Sequence, residues 1–312
     1  MVEVVGTAPT SVMVITKFVY RRSWKSNINS IVRILNISIM NIDKLYNIMH
    51  IIAINGYKSF IAKNFIKKYK KKYKIIHYKK DINNLKEFKK FSIKNKFSHF
   101  IFFAGLNRQK CSVDKSKCLK TNFLSVKDTV NYFNTLSDRP HLIFISTSHV
   151  YGSSKKNLKE VSNPKPKNLY AKLKLRSENY IKKNYSKYCI LRLFNVYGKD
   201  QPQGFFIPDM IDKIKKKQKI IIDKSVRDFV HVDEVSSIIN FIIKKNMFSV
   251  FNAGSGIGHS LRYVINKIGK KIKAKPIISL NKTSSKIVAD MSLLKSFGYK
   301  SKKLNNANIF KK

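Results

Sequence analysis

The sequence predicts an α/β protein built on a doubly wound parallel sheet, with a smaller C-terminal lobe. Three observations carry that prediction. From Met49 onward, short apolar runs alternate with amphipathic stretches at the pace of strand–helix–strand units. Six of the 11 glycines (Gly56, Gly105, Gly152, Gly198, Gly254 and Gly256) fall at strand ends or turns, where the backbone needs positive φ or close approach. The first of these turns, in "INGYKSFIAKNF" (54–65), has the spacing of a glycine-rich loop, with Ser59 and Ala62 at the two later glycine places.

The elements follow in order. "HIIAI" is a short buried strand, and 57–72 reads as a helix with Ala62, Phe65, Ile66 and Tyr69 on one face. "YKIIHY" gives a second strand and "FSHFIFFAG" a third, ending at Gly105. A helix through "NFLSVKDTVNYFNTL", the strand "HLIFIST", the helix "LYAKLKLRSENYIKKNY" and the strand "YCILRLFNVYG" continue the series. After Gly198 the pattern loosens into loops, isolated strands ("KIIID", "FNAG") and two further helices, so the last third reads as a lobe packed on the first part. No internal repeat or low-complexity linker interrupts the chain.

At 312 residues the chain can bury a large core. It has no apolar run long enough for a transmembrane helix, so a membrane partner is not expected. The three cysteines, Cys111, Cys118 and Cys189, share no metal-ligand spacing. They point to a reduced, cytoplasmic protein without disulfides, and no metal site is expected. The net charge of +47 invites a nucleic-acid reading. The excess is nearly all lysine, spread over the whole chain beside abundant Ile, Asn, Tyr and Phe, all residues with A/T-rich codons. Genome composition accounts for it, and no specific nucleic-acid partner is expected. Residues 1–48 are basic and nearly free of acids over "KFVYRRSWKSNINSIVRILNIS", which suits either a transit segment or an upstream start codon preceding a natural start at Met49. This extension is expected to be poorly ordered.

Two stretches carry chemistry. "ISTSHVYG" (145–152) ends a buried strand in the hydroxyls Ser146, Thr147 and Ser148. In "LYAKLKLRSE", Tyr170 and Lys174 stand four apart on one helical face. A tyrosine titrating near 10 is a poor acid–base group at neutral pH, and a neighbouring ammonium favours its phenolate. A hydroxyl such as that of Thr147 can then hold the substrate oxygen while Tyr170 moves its proton. A lone Y-x-x-x-K is weak in a chain so rich in both residues.

The ordered set of motifs resembles the extended short-chain dehydrogenase/reductases, the NAD-dependent epimerase/dehydratase family of nucleotide-sugar enzymes. "INGYKSFIAKNF", "KDINN", "FIFFAG", "KTNFLSVKDTV", "ISTSHVYG", "YAKLKLRSE", "LRLFNVYGKDQ", "VRDFVHVDEV", "FNAGSGIGHSL" and "ADMSLLKSFGY" match family signatures in sequence, from Met49 to about Tyr299. The resemblance implies a Rossmann-like NAD(P)-binding domain over 49–198 and a substrate-binding lobe over 199–312, a nucleotide-sugar substrate and a homodimer. It implies Tyr170 as general acid/base, Lys174 on the nicotinamide ribose and Thr147 on the reacting oxygen. Gly56, Ser59, Phe60, Ile61, Asp81, Ile82, Ala104, Gly105 and Asn122 would meet the cofactor, together with Tyr170 and Lys174. Asn195, Arg227, Ser148 and His149 would bind the substrate, Arg227 at its diphosphate, while His231 and His149 read as structural or pocket-lining. Tyr151, a rival base after the same strand, has no lysine four residues on.

Dehydratases of the family carry Asp-Glu after the Thr. Ser148 and His149 stand there instead, which argues against 4,6-dehydration. That leaves epimerisation through a transient 4-keto sugar, or reduction of a keto sugar. Cofactor choice stays open between NAD and NADP. An acid at the end of the second strand is missing until Asp81, while Lys79 and Lys80 would suit a 2′-phosphate. A non-catalytic, polyanion-binding member of the fold is the third reading. The pocket is expected to draw on loops around 107–118 and 200–215. "SKKLNNANIFKK" reads as a short remnant of the family's terminal segment.

Overall fold

The computed structural model describes residues 50–301. The 1–48 extension and the "SKKLNNANIFKK" ending, apart from Ser301, lie outside the described residues. The first half of the chain alternates as its apolar periodicity dictates. Strand β1 (Ile51–Asn55) leads into α1 (Phe60–Tyr69), β2 (Lys74–His77) into α2 (Leu85–Lys94), and β3 (His99–Phe102) into two short helices, α3 (Arg108–Val113) and α4 (Lys115–Leu119). One wide π-type turn (Lys120–Leu124) joins α4 to α5 (Ser125–Asn134). Then come β4 (His141–Thr147), α6 (Leu169–Asn184) and β5 (Tyr188–Leu193). The helices start where side chains satisfy the orphan backbone donors: Ser59 caps α1, Asn84 caps α2 and Asn168 caps α6.

These five strands and β9 (Ser249–Ala253) form a six-stranded parallel sheet in the order β2-β1-β3-β4-β5-β9. Successive strand residues feed opposite faces, the period-2 signature of a sheet covered on both sides. Ile52, Ile54, Ile101, Ile143 and Leu191 enter one core with Phe65 of α1. Ala53, Phe100, Phe102, Leu142 and Ile190 enter the other, with Phe88, Val130 and Ile181 from α2, α5 and α6. The helices therefore pack on both faces, as a doubly wound sheet requires.

The chain past Gly198 does not stay apart. Strand β6 (Asn195–Tyr197) leaves the central sheet after Phe194 and pairs with β8 (Val226–His231). Helix α7 (Phe206–Lys215), β7 (Lys219–Ile222), β10 (Gly258–Ser260), α9 (Leu261–Lys271) and β11 (Ile277–Leu280) build the smaller lobe around Ile207, Ile214, Phe229 and Val264. Yet α8 (Val232–Lys245) packs on α1 through Asn64–Asp233 and Lys68–Ser237, and β9 (Ser249–Ala253) closes the edge of the central sheet beside β5. The division expected at Gly198 is therefore crossed by α8 and β9, which return to the first part. Strand β12 (Lys286–Ile287) joins β8, and α10 (Ser292–Ser296) ends the described elements. Asp228 on β8 ties the return together, its carboxylate accepting from the Ser255, Gly256 and Ala289 amides and the Ser255 hydroxyl. His231 accepts from the Asp233 amide at the start of α8.

The sheet's lower edge buries two histidines side by side. His99 and His141 are register partners on β3 and β4, with ring centroids 5.1 Å apart. Burial holds His99 down to about 2 and His141 down to about 3, against 6.5 for a free imidazole. Both stay neutral in the fold while the unfolded chain protonates them, so their stabilisation is full above 6.5 and is lost as pH falls below it. The pair should remove about 3 kcal/mol per pH unit in that window. Urea midpoints measured near neutrality and at about pH 5 check this, and a flat profile would contradict it.

Candidate active site

Sheet order places a topological switch between β1 and β3, where the chain turns outward in opposite directions. In open α/β sheets the crevice at the carboxyl ends of such strands receives ligands. Here a cavity of about 760 Å³ opens there, within the range of a small-molecule site. Ser59, Phe60 and Ile61 at the start of α1 line one side, and Gly105 lies at the end of β3. Gly56 sits behind them in the turn itself, at φ +59°. A Cβ there would come within 2.7 Å of the Ala104 amide nitrogen, so only glycine permits β1 and β3 to close up. Gly56→Ala should cost about 2 kcal/mol from the left-handed backbone alone, with the backbone clash added. A thermal midpoint equal to that of the parent would refute this reading of the turn.

On the far side, β4 delivers Thr147 to the cavity and α6 delivers Tyr170 and Lys174. Thr147 is buried and its Oγ1 accepts the His149 amide at 3.3 Å, forming the turn that presents Ser148 and His149 to the same space. Burial raises the Tyr170 phenol, opposed by its hydrogen bond to Thr147. Lys174, expected from the sequence to lower this phenol, is not among the groups acting on it. The Lys174 ammonium instead donates to the Ile145 carbonyl at 2.7 Å and lies 4.4 Å from the centre of the Phe144 ring. Burial pulls Lys174 down to about 7, and the Glu178 carboxylate opposes that fall. Burial, then the charges of Arg108 and Arg227, hold His149 down to about 4, so its imidazole is neutral near pH 7. Tyr151 is buried away from the cavity, its hydroxyl donating to Asn252 at 2.7 Å, and burial pushes it up to about 12. It cannot act as a rival base.

The remaining expected residues divide. Asn195 lines the cavity while donating to the Asp228 carbonyl at 2.9 Å. Arg227 stands outside the lining, its guanidinium held by the carbonyls of Val226 and Ser285 and by the Ser285 hydroxyl. Asp81 accepts from the backbone and side chain of Asn83, and Ile82 is buried in the second core. The Ala104 amide donates to Asn55 at 2.9 Å. Asn122 is a brace: its carboxamide accepts from the Leu106 amide at 2.8 Å and donates to the Leu106 carbonyl at 3.0 Å. Of the two lysines beside β2, Lys80 pairs with Glu87.

The expectation of a chain without disulfides is overturned. Cys111 and Cys118 form a disulfide, so the chain is not free of them. The bond ties α3 to α4 in a small core with Phe123 and Leu173, and Asn122 donates to both sulfurs. Only Cys189 remains a free, buried thiol among the described residues. Sequence reasoning also left Arg108 and Gln109 unassigned individually. Both line the cavity from α3, inside the 107–118 stretch expected to shape it, as do Gln201 and Phe205 from the second stretch.

Residues 46–254 match the sequence model of the NAD dependent epimerase/dehydratase family. The chain is 26% identical over 222 residues to an ADP-L-glycero-D-manno-heptose-6-epimerase of Brachyspira hyodysenteriae, covering 64% of this chain and 69% of the relative. Over 128 residues it is 34% identical to a GDP-6-deoxy-D-talose 4-dehydrogenase of Aggregatibacter actinomycetemcomitans, covering 38% of this chain and 43% of that protein. Among solved structures, it resembles the UDP-glucose 4-epimerase of Thermus thermophilus in complex with NAD, with a TM-score of 0.73 and 19% identity over 83% of this chain and 96% of the other. A dTDP-4-dehydrorhamnose reductase of Bacillus anthracis in complex with NADP gives a TM-score of 0.72 and 19% identity over 81% and 94%. At those identities the likeness shows the fold. No helix among the described residues is long and apolar enough to cross a membrane.

Proposed function

The chain belongs to the NAD-dependent epimerase/dehydratase family, and from that premise we propose that it is an NAD(P)-dependent nucleotide-sugar epimerase that inverts C4 through a transient 4-keto sugar. The observation that carries this reading is the convergence of Thr147, Tyr170 and Lys174 on one cavity at the β1/β3 switch point. The residues present fit a dinucleotide. Gly56 keeps the tight turn, the start of α1 opens onto the crevice, and Gly105 leaves space where a Cβ would lie 3.5 Å from the Lys174 ammonium. Bound there, the nicotinamide would accept and return a hydride, which is the chemistry the side chains do not supply.

The chain's own residues handle the proton and the geometry. As its phenolate, Tyr170 takes the proton from the sugar hydroxyl while the carbonyl forms, and the resulting phenol gives it back when the carbonyl is reduced. Thr147 donates to the same oxygen and fixes it against Tyr170. Lys174 would hold a cofactor ribose and supply positive charge beside the phenol. Asn195 orients the sugar nucleotide, and Arg227 offers its remaining donors to the diphosphate. Ser148 and a neutral His149, in place of a carboxylate pair, suit epimerisation better than loss of water.

A second reading, NADPH-dependent reduction of a 4-keto sugar, is favoured by the β2 edge. No carboxylate projects from the end of that strand to a ribose, Asp81 being turned to Asn83, and Lys79 is exposed beside it. Fluorescence titration with NADH and NADPH separates the two, with Tyr170→Phe as a control that should bind as the parent does. Binding of either nucleotide supports the enzyme. Failure of both at millimolar concentration would leave only a non-catalytic member of the fold.

A further inference from the structure

The buried side of α6 carries a charge network that the proposed chemistry leaves unused. Glu178 stands one turn beyond Lys174 and is fully buried. It is clasped by Arg192 of β5, whose Nη2 reaches Oε2 at 2.6 Å and whose Nε lies 3.1 and 3.2 Å from the two carboxylate oxygens. The Arg192 guanidinium also donates to the Glu160 carbonyl at 2.9 Å and lies 4.6 Å from the centre of the Tyr151 ring. Ser146, the residue before Thr147 on β4, donates its hydroxyl to Glu178 at 2.5 Å. The neighbouring strand carbonyl, that of Ile145, receives the Lys174 ammonium. Two consecutive residues of β4 are thus held by two residues one turn apart on α6.

We propose that Glu178 is a positioning residue of the active site, which, anchored by Arg192 and Ser146, clamps the end of β4 to α6 so that Thr147 and Lys174 face the cavity in fixed register, with a carboxylate one turn from the ammonium. This rests on the reading of Thr147, Tyr170 and Lys174 as the reacting set. A structural ion pair would serve equally well anywhere under the sheet. This one touches the strand residue before Thr147 and lies on the helix face that bears Lys174.

The surroundings of Lys174 explain what the carboxylate does there. On α6 the groups that face it are Tyr170 and Glu178. From β4 come the Ile145 carbonyl and the Phe144 ring. Gly105 and the Asn122 carboxamide border it from the β3 side, and Arg192 on β5 lies behind Glu178. Glu178 is the one anion in that set, and of the buried pair its charge is the one that acts on Lys174. Without it, burial alone governs the ammonium, and less of it is charged near neutral pH.

The test uses the full chain labelled at lysine Cε and followed by NMR across pH, with Lys174→Met identifying the Lys174 resonance by its absence. The variant is Glu178→Gln with Arg192→Gln, which removes both charges together and leaves no uncompensated ion in the interior. Loss of the carboxylate should move the Lys174 titration down by about one pH unit, from its midpoint near 7 in the parent. A Lys174 midpoint unchanged in the folded double variant overturns the proposal. Should the double variant fold poorly, Ser146→Ala keeps the ion pair and releases only the strand contact. Its expected shift is smaller and of the same sign, and an unchanged midpoint there overturns the proposal as well. Titration of the parent with NADH and NADPH separates the two levels. If neither binds, the enzyme reading fails and the positioning role falls with it. If either binds and Lys174 titrates identically in the variant, only the positioning role fails.

Discussion

Tyr170→Phe should lower turnover by about 10²–10⁴-fold while leaving the fold intact. The substitution removes one oxygen from a half-buried ring at the cavity wall, together with its hydrogen bond to Thr147. The ring's contact with His149, at 6.2 Å between centroids, remains. Two rival groups are ill-suited to replace the phenol. Tyr151 is sealed against Asn252 with its proton held, and His149 is a neutral imidazole flanked by the charges of Arg108 and Arg227. Steady-state rates on a turned-over nucleotide sugar measure the loss, and NADH affinity within a few-fold of the parent shows that the site survives. A variant that retains more than a tenth of parental turnover would remove Tyr170 from the mechanism.

Arg192→Met has the largest expected effect on stability. Arg192 and Glu178 are both almost wholly withdrawn from solvent, at 2% and 0% side-chain exposure. Burial would pull the guanidinium down, but the hydrogen bonds and charge of Glu178, with Tyr151 behind, hold it well above its ordinary value. Replacing only the arginine strands a carboxylate in the interior and should cost about 3–5 kcal/mol. Replacing both partners by neutral side chains should cost far less, because no ion is left unpaired. Urea midpoints of the single and double variants check both statements, and a single variant as stable as the parent would mean that water reaches Glu178.

Much of this was readable in the sequence because the physics is local. The strand–helix alternation and the glycine turn at Gly56 follow from period, turn chemistry and element order. So does the Tyr170–Lys174 pair, one turn apart on a single helix. What escaped depends on distant partners. "YCILRLFNVYG" reads as one strand, yet β5 and β6 lie in different sheets, because Phe194 is buried where the chain diverges. The Cys111–Cys118 bond needs the α3–α4 turn to bring the sulfurs together, and no spacing rule announced it. Arg192 in an apolar strand was a visible anomaly, and Glu178 was visible at helical spacing from Lys174. Only the fold makes them partners. The return of β9 to the central sheet was likewise hidden in an ordinary apolar run after α8.

On the proposed reading, this cavity moves a hydride on a nucleotide sugar. The most direct test incubates the protein and oxidised or reduced cofactor with a panel of nucleotide sugars deuterated at C4, read by NMR and mass spectrometry. The account predicts cofactor-dependent conversion of at least one sugar to its C4 epimer with deuterium retained at that carbon, abolished in Tyr170→Phe. Conversion by Tyr170→Phe at the parental rate, or no cofactor-dependent change in any sugar of the panel, would contradict it.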